Sequence, residues 1–416
     1  MVRRADDRRA TFSGLLVAAG FLALATASIG LTLVRGGGGA WPAVHLVLAG
    51  AAGTAVASVL PFFTAALAQV APAAVGIRLG AIALVAGGTL AVTVGVSAGI
   101  GPLAVLGGCA YLGGLSLVAV AVFLPLRTAL GRRSGLVPFA YGFALAQVAI
   151  GVSLATAMVA GWAPVVANWS ALKPAHAWLN VFGFLSVVVA ATLLHLAPTV
   201  AGTRIRPRRS ATLALVALMA GAPLVAIGFA GGWDAIARIG ALTELVGSAA
   251  LLVHASGVQR DRGRWTSDLG WHRFAGFSLL AAPAWFLVAM SIAAGRILWF
   301  GATPGAWSVE AIGVPLVLGW TAQVLIGAWT HLVPAIGPGN QLAHAAQRRR
   351  LGRWGTVRVL TWNGGVAILT VGLLVEIDAV AAVGAFAFGL SLVVALGLLI
   401  GSIPRAVARR VAVPVR

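Results

Sequence analysis

Residues 173–201 read KPAHAWLNVFGFLSVVVAATLLHLAPTVA, a stretch in which only Lys173 carries a full charge at neutral pH. Apolar side chains fall on every face rather than along one stripe of period ~3.6, so this is not the half-buried helix of a soluble domain. As a helix rising ~1.5 Å per residue it can cross the ~30 Å hydrocarbon layer of a bilayer, satisfying its backbone polar groups internally where water is absent. The same texture recurs outward along the chain. Twelve spans result, at 12–34, 41–69, 74–98, 101–127, 136–160, 173–201, 210–232, 234–256, 269–296, 308–336, 356–378 and 379–404. The 416 residues are 60% hydrophobic and 9% charged, with a mean hydropathy of +1.00. That composition excludes a soluble enzyme with one anchor. The length of the runs excludes a membrane barrel, whose segments alternate over ~10 residues. The expected fold is all-α, a polytopic helical bundle in contact with lipid, with tails at 1–11 and 405–416 and one transmembrane domain over 12–404.

A net charge of +20 would point to nucleic acid in a soluble protein, but here its placement gives it another meaning. The N-terminus, the even-numbered loops with the span ends that border them, and the C-terminal tail hold 25 of the 29 Lys and Arg, among them Arg132, Arg133, Arg206, Arg208 and Arg348 to Arg350. The odd-numbered loops and the span ends that border them hold four, Arg35, Lys173, Arg238 and Arg296. By the positive-inside rule both termini are cytoplasmic, in the plasma membrane, and no nucleic-acid partner is expected. The single cysteine, Cys109, lies within a span and excludes a disulfide framework.

An internal repeat links spans six and ten. Gly183 is followed after twelve residues by His195-Leu-Ala-Pro198, and Gly319 after twelve residues by His331-Leu-Val-Pro334. Span two has a degenerate copy starting from Gly50, with His45 ahead of it as His176 is ahead of Gly183. The pattern implies three parts of four helices each.

Histidine inside a membrane span is costly and reads first as a ligand or proton-relay group. His45 and His176 fall at the outer ends of spans two and six, and they suit haem iron or copper if those spans are neighbours. An interfacial histidine bonded to a loop carbonyl is the plainer alternative. His195 and His331 form an inner layer, each just before a proline that frees a backbone carbonyl, so they are either ligands or caps of that carbonyl. His176 and His195 stand 19 residues apart, roughly 28 Å at ~1.5 Å per residue, and cannot share a metal. His254 and His272 flank the basic loop between spans eight and nine, where solvation is easy. Glu244 is the acid deep in a span and a candidate for a proton or ion path; Glu310 sits at the outer start of span ten. Asn168, Asn180 and Gln323 read as helix-packing polar residues.

Twelve spans, cytoplasmic termini, three parts and the outer histidines of spans two and six resemble subunit I of the haem-copper oxidase and nitric oxide reductase superfamily. More closely, His45-Leu-Val-Leu-Ala-Gly50, His176-Ala-Trp-Leu-Asn-Val-Phe-Gly183 and Leu194-His195-Leu-Ala-Pro198-Thr199 resemble the membrane portion preceding cupredoxin domains in actinobacterial multicopper-oxidase or copper nitrite reductase-like proteins. The resemblance implies three four-helix arcs in a pseudo-threefold arrangement, haem b held with His45, copper near His176, and electron transfer in nitrogen-oxide or copper metabolism. It also implies a separate cupredoxin or cytochrome partner. The chain departs from the superfamily pattern in three places. Span ten opens with Trp307-Ser-Val-Glu310 in place of a histidine pair, Gly231-Gly-Trp-Asp234 stands where two adjacent histidines belong, and no tyrosine follows His176. A full oxygen-reducing centre is therefore not expected. The competing readings are a permease using Glu244 with inverted repeats, and an assembly subunit with the fold but no cofactor.

Overall fold

The computed structural model describes residues 2–35, 39–129, 135–206, 208–262, 270–303, 312–337 and 340–402. Arg132, Arg133, Glu310 and the 405–416 tail lie outside them. Among the described residues the regular elements are all helical, and twelve helices are long and apolar enough to cross a membrane. They are Ala10–Leu31, Trp41–Leu67, Val75–Ser97, Gly101–Leu126, Leu136–Val159, Trp169–Ala201, Arg209–Gly231, Asp234–Arg260, Arg273–Phe300, Val314–Ile336, Gly355–Leu374 and Asp378–Ile400, here spans one to twelve. Hydropathy placed each to within a few residues. Span eight runs one turn further than expected, to Arg260, beyond His254, which the expected span 234–256 already contained. Large apolar side chains such as Leu106, Phe139, Phe386 and Val393 stand 60–75% exposed, as suits a lipid-facing surface.

Spans three and four, seven and eight, and eleven and twelve form three helical hairpins with the same internal contacts. In the first, Gly88 rests on the backbone of Tyr111 and Gly95 on that of Ala104; in the second, Gly221 rests on Glu244 and Gly228 on Ala237; in the third, Gly365 rests on Phe388 and Gly372 on Ala381. A Cβ at any of these glycines would collide with the facing helix. Close backbone approach replaces the hydrophobic effect as the force holding helices together where the solvent is itself apolar. The connecting turns match as well. Ile100 N donates to Gly95 O at 2.7 Å, Trp233 N to Gly228 O at 2.8 Å and Ile377 N to Gly372 O at 2.9 Å. The residue before each donor is left-handed: Gly99 (φ 70°), Gly232 (φ 65°) and Glu376 (φ 57°).

Spans two, six and ten share a different device. Each contains a π-helical stretch, Leu46–Ala52, Leu179–Ser186 and Val314–Ala322, and each stretch contains the glycine of the repeat, Gly50, Gly183 or Gly319. A side chain of the preceding span lies against that glycine: Phe21 on Gly50, Gln147 on Gly183 and Trp285 on Gly319. Widening a helix to i→i+5 bonding frees carbonyls that lipid cannot satisfy, so other spans must supply donors. Tyr111 Oη donates to Ala49 O at 3.5 Å, Gln147 Nε2 to Gly183 O at 2.9 Å and Trp362 Nε1 to Leu318 O at 3.1 Å.

The chain separates into two compact units. One comprises Met1–Ala191, Thr212–Gly247 and Ala293–Trp307, and the other Thr192–Ala211, Ser248–Ile292 and Ser308–Arg416. The first contains the π stretches of spans two and six; the second contains that of span ten.

Candidate functional site

His45 closes the short α-helical start of span two, immediately ahead of the π stretch. Its Nδ1 lies 2.9 Å from Trp41 O, and its ring leans on the Trp41 indole with centroids 4.1 Å apart. A carbonyl can only accept, so Nδ1 carries the proton and Nε2 keeps its lone pair. His176 stands one turn ahead of the π stretch of span six, with its Nδ1 2.8 Å from Gly151 O of span five and its ring 6.0 Å from that of Trp169. The same argument leaves its Nε2 as the acceptor.

The Asn180 amide also faces His176 Nδ1, at 2.9 Å. A nitrogen that has given its only proton to Gly151 has no lone pair for an amide N–H. Rotating the amide so that Oδ1 faces the ring gives a shared N–H with two oxygen acceptors, and it resolves an Oδ1 otherwise buried without a partner. Gly151 leaves the space for this, since a Cβ there would meet the Asn180 amide. The two imidazoles, both in the first unit, lie within each other's electrostatic reach. Each ring of the outer pair is oriented by a backbone carbonyl.

Sequence reasoning passed over Asn180 as a packing residue. The available signal was its place four residues after His176, on the same helical face. Gly151 had no signal in the sequence, because it acts only through its backbone.

The inner layer is arranged differently from the repeat alignment. His331 is half-buried with Arg348 as its charged neighbour, whereas His195 neighbours His254. The Thr199 hydroxyl donates to the His195 carbonyl at 2.8 Å, while the carbonyl that Pro198 leaves without its helical N–H is that of Leu194. His254, expected beside a solvated loop, is 3% exposed. Glu244 is fully buried against Gly221 and faces the indole of Trp178, which stacks on Phe182 at 4.5 Å. Within its hairpin Glu244 holds the position that Tyr111 and Phe388 hold in the other two.

Among the described residues no three or more His, Cys, Asp or Glu side chains gather as a metal cluster. No protein-family model matches the chain, and no curated protein resembles it closely enough to count as a relative.

Proposed function

We propose that the chain is a multi-pass plasma-membrane redox protein that holds haem b or copper between His45 and His176. On this reading it is built as three successive four-span repeats in a pseudo-threefold arrangement, with both termini cytoplasmic. It takes part in electron transfer linked to nitrogen-oxide or copper metabolism and exchanges electrons with a separate cupredoxin or cytochrome.

The observation that carries the reading is the pair of oriented imidazoles. Each has Nδ1 committed to a backbone carbonyl and Nε2 left as the donor atom, and each is presented by a helix that changes to π geometry directly afterwards. A ligating histidine is held in the same way wherever its second nitrogen is fixed by a carbonyl. Two imidazoles would suffice to hold a porphyrin, which brings its own nitrogen donors, so His45 and His176 fit haem b. Bound haem would supply one-electron chemistry. The chain's own part is to hold the two rings, to cover them with Trp41 and Trp169, and to exclude water through the surrounding apolar helices. Oxygen reduction is outside the proposal, because the two histidine pairs and the tyrosine that the superfamily pattern calls for have no counterparts in this sequence.

Absorption spectroscopy with metal analysis of detergent-purified protein tests this. A Soret band that disappears in His45→Ala and in His176→Ala is expected. A colourless, copper-free preparation from haem-replete cells overturns it.

A further inference from the structure

We propose that His254 and His195 hold a monovalent copper ion at the end of span six opposite His176, in a site of its own.

His254 lies two turns before the end of span eight and is 3% exposed, yet neither of its ring nitrogens has a hydrogen-bond partner among the described residues. A neutral imidazole has one N–H and one lone pair, and burying both unmet is a substantial loss that proteins avoid. A bound group removes it. His195 of span six is the neighbouring imidazole, and its Nδ1 is also buried without a partner. The two helix ends pack together through Ala197, Ala201 and Val258, the last one turn beyond His254.

An ion pair stands beyond His254 on span eight. Arg208 bonds Asp261 at 2.5 Å and reaches the Gly257 carbonyl at 3.4 Å, lying across span eight one turn past His254. Gly257 permits this, because a Cβ there would meet the guanidinium. Arg206 touches the same carboxylate at 4.0 Å. Arg208 and Asp261 are 30% and 38% exposed, so the ion pair meets water while the imidazole behind it is sealed.

The donor set selects the ion. Two neutral imidazoles without a carboxylate are too few for zinc, which takes four ligands, and of the wrong kind for calcium or magnesium, which take oxygen. Copper(I) is bound readily by imidazole and needs no anionic ligand. The field of Arg208 reaches His254, and that guanidinium, offset by Asp261, opposes a single positive charge less than a double one.

The test is anaerobic titration of the full-length, detergent-purified protein with copper(I) against a colorimetric copper(I) chelator. It is run in wild type and in a His45→Ala/His176→Ala variant that removes the outer pair. Both are expected to retain one chelator-resistant copper(I) at the inner site, lost in His254→Leu and in His195→Leu. X-ray absorption of the copper-loaded outer-pair variant should show nitrogen scatterers with the imidazole signature and no sulfur. Failure of the outer-pair variant to hold copper(I), or retention of that copper on replacing His254 or His195, overturns the inner site. If either inner variant does not fold, the absorption spectrum decides. Loss of the Soret band alone bears only on the outer pair.

Discussion

At the scale of single residues, the outer pair depends on how firmly His176 is held. Gly151 O fixes one direction of its N–H and Asn180 supplies a second oxygen on the same nitrogen. Such partners of a ligand are worth about 10- to 100-fold in affinity. On the proposed haem reading, Asn180→Ala should therefore keep the fold and speed haem loss by about that factor, with a shifted midpoint potential; potential and off-rate both unchanged would remove Asn180 from the site. Glu376 poses a separate question. It takes the left-handed turn position that glycine holds at Gly99 and Gly232, and a side chain costs about 1 kcal/mol there. Being exposed, Glu376 has no packing to lose. Glu376→Gly should raise stability by up to about 1 kcal/mol, and Gly232→Glu should lower it similarly. Equal thermal midpoints for the three proteins would show that the turn relaxes without strain.

At the scale of elements, the π stretches of spans two, six and ten bring a debt of unpaired carbonyls, met by Tyr111, Gln147 and Trp362. Gln147→Leu keeps the volume and removes the donor to Gly183 O. A hydrogen bond between helices in a membrane is worth ~0.6–2 kcal/mol, so the variant should unfold earlier in a detergent-denaturant titration by that amount. An unchanged curve would mean that Gly183 O finds another donor. The spans themselves were legible because hydropathy needs only the length of an apolar run. The π stretches were not, since one inserted residue leaves composition unchanged, and only the recurrence of Gly50, Gly183 and Gly319 marked the place. The hairpins were legible but overlooked. Gly88, Gly95, Gly107 and Gly114 recur as Gly221, Gly228, Gly240 and Gly247 at intervals of 7, 12 and 7 residues. Among 54 glycines such a pattern stands out only once the facing contacts are seen. His254 was misjudged for a simpler reason: hydropathy places it near the end of span eight but does not show which face of that helix its neighbours cover.

For the whole molecule, both repeated devices recur every four spans. An even number of crossings returns the chain to the same side of the membrane, so on the proposed three-repeat plan successive repeats would run parallel. Inverted repeats, as in many permeases, need an odd number. The charge distribution agrees with that parity, and the basic residues on the sparse side are partly compensated. Arg238 lies 3.9 Å from Asp234, and the Arg296 guanidinium stands 5.6 Å from the centre of the Phe300 ring. The opposite face carries the more basic 204–209 and 348–353 segments, in which Arg206 and Arg208 share the single carboxylate of Asp261, and orientation follows the excess of Lys and Arg in such short loops. Alkaline phosphatase fused after Gly161 or Gly232 should therefore be active outside the cytoplasm, while fusions after Arg206 or Arg262 should be inactive. Activity at Arg206 would reverse the assigned orientation and move His45 and His176 to the cytoplasmic side. An external cupredoxin or cytochrome could then not reach the outer pair, so the topology map tests the partner as well as the fold.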